Sequence, residues 1–207
     1  MKDKDIYDDI NSIKNIMERS TRFISLSGLS GVMAGIYALI GAGIAYSIIP
    51  DYSVNAGADY SANHNLDMEL FGVAMAVLIL SIGTAVWLTA RKARRRNQST
   101  WNESSRTLVG TGLQPLLTGG CFAFILFINH NYLIIAPACL VFYGLALAAA
   151  SKYTYGDVKW LGLMNIILGL AALIQPAYGL YFWALGFGVL HILYGSIMHF
   201  KYDSVSA

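Results

Sequence analysis

The sequence predicts an all-α polytopic membrane protein: six transmembrane helices arranged as three tandem helical hairpins, preceded by a short amphipathic helix. Three observations predict it. Of 207 residues, 56% are hydrophobic and only 13% are charged, with a mean hydropathy of +0.53. A water-soluble chain of this size would leave much of that apolar surface in contact with water. Six stretches approach the roughly 20 apolar residues that a helix needs to cross the hydrocarbon core. Basic residues are absent from alternate connections.

The apolar stretches lie at about 23–49, 68–90, 108–128, 132–151, 158–174 and 180–200. Backbone amides in lipid must bond within their own segment, so each stretch is expected to be a helix. Residues 129–131 and 175–179 are short enough for tight antiparallel turns. The chain therefore divides into an N-terminal segment, 1–22, and a six-span bundle, 23–207. Met1 to Tyr7 is polar and acidic, which argues against a cleaved signal peptide, and the first apolar stretch is too long for a signal core.

Lysine and arginine set the expected orientation. Residues 51–67, 129–131 and 175–179 contain neither, whereas all 14 basic residues fall in the other four polar segments. The positive-inside rule then puts both termini in the cytoplasm. An even number of spans requires the same thing. The expected location is the inner (cytoplasmic) membrane.

Internal similarity appears next. Gly28-Leu29 is followed by Gly35, Gly112-Leu113 by Gly119, and Gly162-Leu163 by Gly169. Each pair opens the first helix of a hairpin, and a spacing of seven sets both glycines on one face, a smooth groove for a neighbour. The second helices share a late glycine, Gly83, Gly144 and Gly195, followed by Arg91, Lys152 and Lys201. The last hairpin reads Leu161-Gly162, Gly169, Gln175-Pro176, Gly186, Gly188 and Tyr194-Gly195. In this it resembles the short repeat of HdeD-like bacterial membrane proteins. That resemblance is clearest over spans 5 and 6. It implies a small six-span inner-membrane protein linked to acid or general stress tolerance.

Outside the spans, Ile6, Ile10, Ile13 and Met17 fall at intervals of four, three and four, one apolar stripe of an amphipathic helix. Its polar face is acidic rather than basic, unlike a membrane-surface helix. It is expected either to pack on its own bundle, a second protomer or a cytoplasmic partner, or to be a frayed extension of span 1. Arg91, Lys92, Arg94, Arg95 and Arg96 form a basic loop after span 2. They are a stop signal for translocation and candidate contacts for anionic lipid headgroups, at about 1 kcal/mol each. No folded domain accompanies them that would present them to nucleic acid.

Within the spans no Asp, Glu, Lys or Arg lies deep, which argues against an ion-coupled pump. What remains is polar and neutral. Tyr143, Asn165 and His191 lie at similar mid-membrane depth, and with Gln114 they form the candidate intramembrane polar site. Ordinary interhelical hydrogen bonds would use the same residues. Cys121 and Cys139 are read as small apolar residues. The acidic outer loop with His64 and His130 lacks metal-ligand spacing, so neither a metal nor another cofactor is expected. Catalysis needs grouped acids, bases or nucleophiles, which are scarce here. The expectation is a non-enzymatic membrane protein with a structural, stress-related or partner-regulating role, self-associating through its glycine faces. The alternative is a small uncoupled channel or transporter.

Overall fold

The computed structural model describes residues 27–49, 64–95, 101 and 103–203. The predicted N-terminal helix with Ile6, Ile10, Ile13 and Met17, the loop around residues 51–63, and Arg96 lie outside the described residues. Among those described, the protein is all helical. Six helices are long and apolar enough to cross a membrane, so this is a multi-pass membrane protein: α1 Gly28–Ile48, α2 Leu66–Arg95, α3 Glu103–Ile128, α4 Tyr132–Tyr153, α5 Asp157–Ile174 and α6 Pro176–Tyr202.

The spans differ in length. At 1.5 Å per residue, α5, with 18 residues, measures about 27 Å, close to the hydrocarbon thickness. The helix containing α2 runs on for 32 residues, His64–Arg95, about 48 Å. Arg91, Lys92, Arg94 and Arg95 therefore stand on its last turns and not on a loop, a correction to the expectation above. Helix formation continues there because no glycine or proline interrupts that stretch, and cations at a helix C-terminus oppose the helix dipole favourably. Two prolines, Pro115 and Pro137, sit inside α3 and α4. The turn between these helices closes with Asn131 N–H on Leu126 O (2.9 Å) and His130 N–H on Phe127 O (3.1 Å). His130 holds the left-handed conformation, φ 57°, that this helix ending requires and that glycine usually supplies.

Glycine decides which spans touch. A side chain on Gly144 of α4 would come within 2.5 Å of Gly162 O on α5, and one on Gly162 within 2.8 Å of the Ala148 amide. The contact of α6 with α1 repeats this register. A side chain on Gly195 would lie 2.7 Å from Gly28 O, and one on Gly28 would strike the His199 amide. Ala148 and His199 each follow their glycine by four residues. Further along, Gly169 meets Val141 and Gly35 meets Ile192, each three residues before the glycine of the partner span. Two of the closest interfaces, α4–α5 and α6–α1, thus join different hairpins (the second to the third, and the third to the first) rather than the two arms of one. α3 lays Gly112 and Gly119 against Ala146, Ala150 and Phe142 of α4. Among the described residues, Gly83 of α2 meets nothing within 4 Å, and α2 is the span with the least burial.

Candidate functional site

Of the four polar residues expected to share a site within the spans, Tyr143 and His191 touch directly, and Asn165 borders the same glycine as His191, Gly186. Tyr143 of α4 and His191 of α6 join at 2.7 Å between the phenol oxygen and Nε2. Nδ1 of His191 lies 2.8 Å from Gly186 O. A carbonyl only accepts, so Nδ1 carries the proton, and Nε2 of the neutral ring accepts from the Tyr143 hydroxyl. Asn165 of α5 is fully buried and His191 is 5% exposed. The Asn165 amide nitrogen donates to Leu161 O at 2.9 Å.

Gly186 is the node that the sequence did not reveal. It lies in a π-helical segment, Ala184–Val189, that joins the α-helical pieces Gly179–Trp183 and Leu190–Met198 of α6. The wider turn brings the Gly186 carbonyl to the ring of His191, five residues on. A Cβ on Gly186 would lie 2.8 Å from Asn165 Oδ1 and would also strike Leu140. One glycine therefore serves two helices: its carbonyl accepts the histidine Nδ1–H, and its missing side chain admits the asparagine. Phe187 closes the cluster, with its ring 4.9 Å from Tyr143 and 5.9 Å from His191. Asn165 Oδ1 is the one buried side-chain polar atom without a partner among the described residues. The usual cost of such an atom is about 1–3 kcal/mol. A π-helical bulge is frequently found at a functional site, although it would serve packing equally well.

Gln114 is not part of this cluster. It is exposed on α3, two residues beyond Gly112, which is the face that packs on α4. Two residues turn a helix by about 200°, so the same glycine that docks the helix aims Gln114 away from it. Tyr37 pairs with Thr84 across α1 and α2, at 3.3 Å. Cys121 and Cys139 are free thiols.

The candidate headgroup contacts divide in a similar way. Arg94 and Arg95 are exposed, and the Arg91 guanidinium lies 5.6 Å over the Trp87 ring. Lys92 is half-buried, and its ammonium donates to the Tyr155 hydroxyl at 3.5 Å. Tyr155 stacks on Tyr202 at 4.0 Å, and both the Tyr202 hydroxyl (2.8 Å) and Lys201 (2.9 Å) bind Asp157. At the opposite end Tyr132 donates to Asp67 at 2.6 Å and so accepts from His130 Nδ1, also at 2.6 Å. Phe71 packs on Phe127 at 5.4 Å. These two knots tie α2 to the rest of the bundle at its ends. Neither was legible beforehand, because each joins residues more than 40 positions apart with no shared motif.

Three helices are thus locked around a neutral cluster. Its hydrogen-bond chain runs from Tyr143 through His191 and stops at a backbone carbonyl, which has no proton to pass on. Among the described residues, no three His, Cys, Asp or Glu side chains converge as metal ligands. No protein-family model, curated protein or solved structure matches this chain.

Proposed function

We propose that this is a non-enzymatic protein of the cytoplasmic membrane, with both termini inside the cell, that acts through helix–helix contact with partners in a structural, stress-related or partner-regulating role. The observation that carries this reading is the mid-membrane cluster. Asn165 and His191 are buried and Tyr143 half-buried, with Tyr143 bonded to His191 and His191 to Gly186, so they serve as a lock between α4, α5 and α6. The exposed basic end of α2, with Arg91, Arg94 and Arg95, faces the anionic inner leaflet in this orientation and adds headgroup contacts. The test is affinity capture of the full chain from its native membrane, combined with solute-flux measurements in reconstituted vesicles. Specific co-capture of a membrane partner with no flux above protein-free vesicles is the expected result. Flux that disappears with His191→Ala would overturn it.

A second reading, a small uncoupled channel or transporter, draws support from the unpartnered Asn165 Oδ1 beside the π-helical segment. A hydroxyl or amide solute would satisfy that acceptor if α6 shifted. The same flux measurement, repeated with Asn165→Ala, separates the two.

A further inference from the structure

We propose that a second copy of this chain docks on the flank formed by α2 and α3, with α2 of each copy lying antiparallel against α3 of the other. The proposal deepens the partner-contact reading by naming the partner.

Among the described residues, five glycines within the spans meet nothing within 4 Å: Gly43 on α1, and Gly72, Gly83, Gly110 and Gly120, all on α2 and α3. Those of α4, α5 and α6 are all in contact with a neighbouring side chain or backbone. This asymmetry has a physical meaning. An interior glycine costs a helix about 1 kcal/mol relative to alanine, and lipid tails gain nothing from it that they would not gain from leucine. Glycine repays that cost in a bundle only where another backbone comes close. α2 and α3 thus carry four such residues that the described residues of a single copy leave unused.

The chain itself shows what covers such a face. Gly144 and Gly195, which match Gly83 in the repeat, each receive an antiparallel helix in one shared register. On α2 the stripe Gly72, Ala76, Ile79, Gly83 and Val86 is exposed. It faces away from Val73, Val77 and Thr84, which meet α1, and from Asp67 and Phe71, which meet the α3–α4 hairpin. With Gly83 opposite Gly110 of the partner subunit, Gly72 comes within one residue of facing Gly120 of the partner subunit, because the spacings are eleven and ten. A single register therefore brings both glycine pairs to matching depths, with Gly120 about 80° around α3 from Gly110. It also brings Arg94 within about one helical turn of Glu103 of the partner subunit, opposite charges at the same membrane boundary.

The symmetry is consistent with the bilayer. A two-fold axis along the membrane normal keeps both copies in the same orientation, yet sets an inward-running α2 beside an outward-running α3. The contact is isologous, so it closes at two copies.

The experiment uses the full chain in its membrane with Cys121→Ala and Cys139→Ala. Differently tagged copies carry Gly83→Cys and Gly110→Cys, and a third carries Gly43→Cys as a control. Oxidation is expected to join the two tags for the Gly83–Gly110 pair and not for Gly83–Gly43. Gly83→Leu, placed where the monomer has open space, is expected to raise the dimer dissociation constant at least about tenfold while leaving the monomer's thermal unfolding unchanged. A chain that stays monomeric at every protein-to-lipid ratio would overturn the proposal. So would a disulfide formed within a single chain carrying both cysteines. A monomer that captures a different membrane protein, lost with Gly83→Leu, overturns self-association and leaves the partner reading standing. A cross-linked dimer with flux sensitive to His191→Ala supports self-association and overturns that reading.

Discussion

At the scale of single residues, the cluster in mid-membrane separates hydrogen bonding from packing. Removing the Tyr143 hydroxyl costs one interhelical bond, and such bonds average about 0.6 kcal/mol within membranes. Tyr143→Phe is therefore expected to lower stability by about that amount. His191→Ala removes two bonds and leaves a cavity beneath Phe187, which should cost about 2–3 kcal/mol. Unfolding by denaturing detergent, followed by circular dichroism, measures both; equal losses would contradict the assigned geometry. Gly186→Ala gives an independent check. The added methyl meets Asn165 Oδ1 and Leu140, and overpacking of this kind typically costs about 1–3 kcal/mol. His130 offers the opposite case. Its left-handed backbone costs a non-glycine residue about 1–2 kcal/mol, offset in part by the bond to Tyr132. His130→Gly should therefore raise stability by about 0.5–1 kcal/mol in the same measurement, and a clear loss would show that the His130–Tyr132–Asp67 chain outweighs the strain.

Among the elements, the glycines divide the helices into two groups that respond differently to the same substitution. Gly144→Leu and Gly195→Leu would force backbones apart at the α4–α5 and α6–α1 interfaces, where even a methyl lies within 2.7 Å of a carbonyl oxygen. Each is expected to cost more than about 3 kcal/mol or to prevent folding. Gly83→Leu, although it matches them in the repeat, should alter monomer stability by no more than about 0.5 kcal/mol, as surface substitutions do. Helix length adds a second contrast. α5 scarcely spans the hydrocarbon, while α2 extends well beyond it and carries Arg94 and Arg95 outward on a rigid helix. The end knots around Tyr132 and Tyr155 hold α2 where its middle has few neighbours. The Lys201–Asp157 ion pair within the second knot is largely exposed on its lysine side, at 54%, so stacking of Tyr155 on Tyr202 contributes more to that knot than the charges do.

For the whole molecule, orientation is the property on which every functional reading rests. A cysteine in place of Asp59 should react with an impermeant reagent from outside the cell, and one in place of Arg95 only after the membrane is opened. The reverse pattern would invert the bundle and remove the headgroup role of α2. The number of spans, their limits to within a few residues, the repeat of glycines and the similar depth of Tyr143 and His191 were all legible in the sequence. The reason is that lipid imposes its demands locally: each span must satisfy its own amides and present apolar side chains, so composition along the chain suffices to find it. Which spans touch could not be read in that way, because every span meets the same local demands and no sequence signal names a neighbour. Only tertiary structure decided that α1 closes on α6, that Gln114 turns away from the cluster, that Lys92 faces Tyr155, and that Gly186 admits Asn165. These depend on helical phase and on backbone approach between segments far apart in the chain. Glycine marks where such approach can happen, and only the assembled bundle determines where it does.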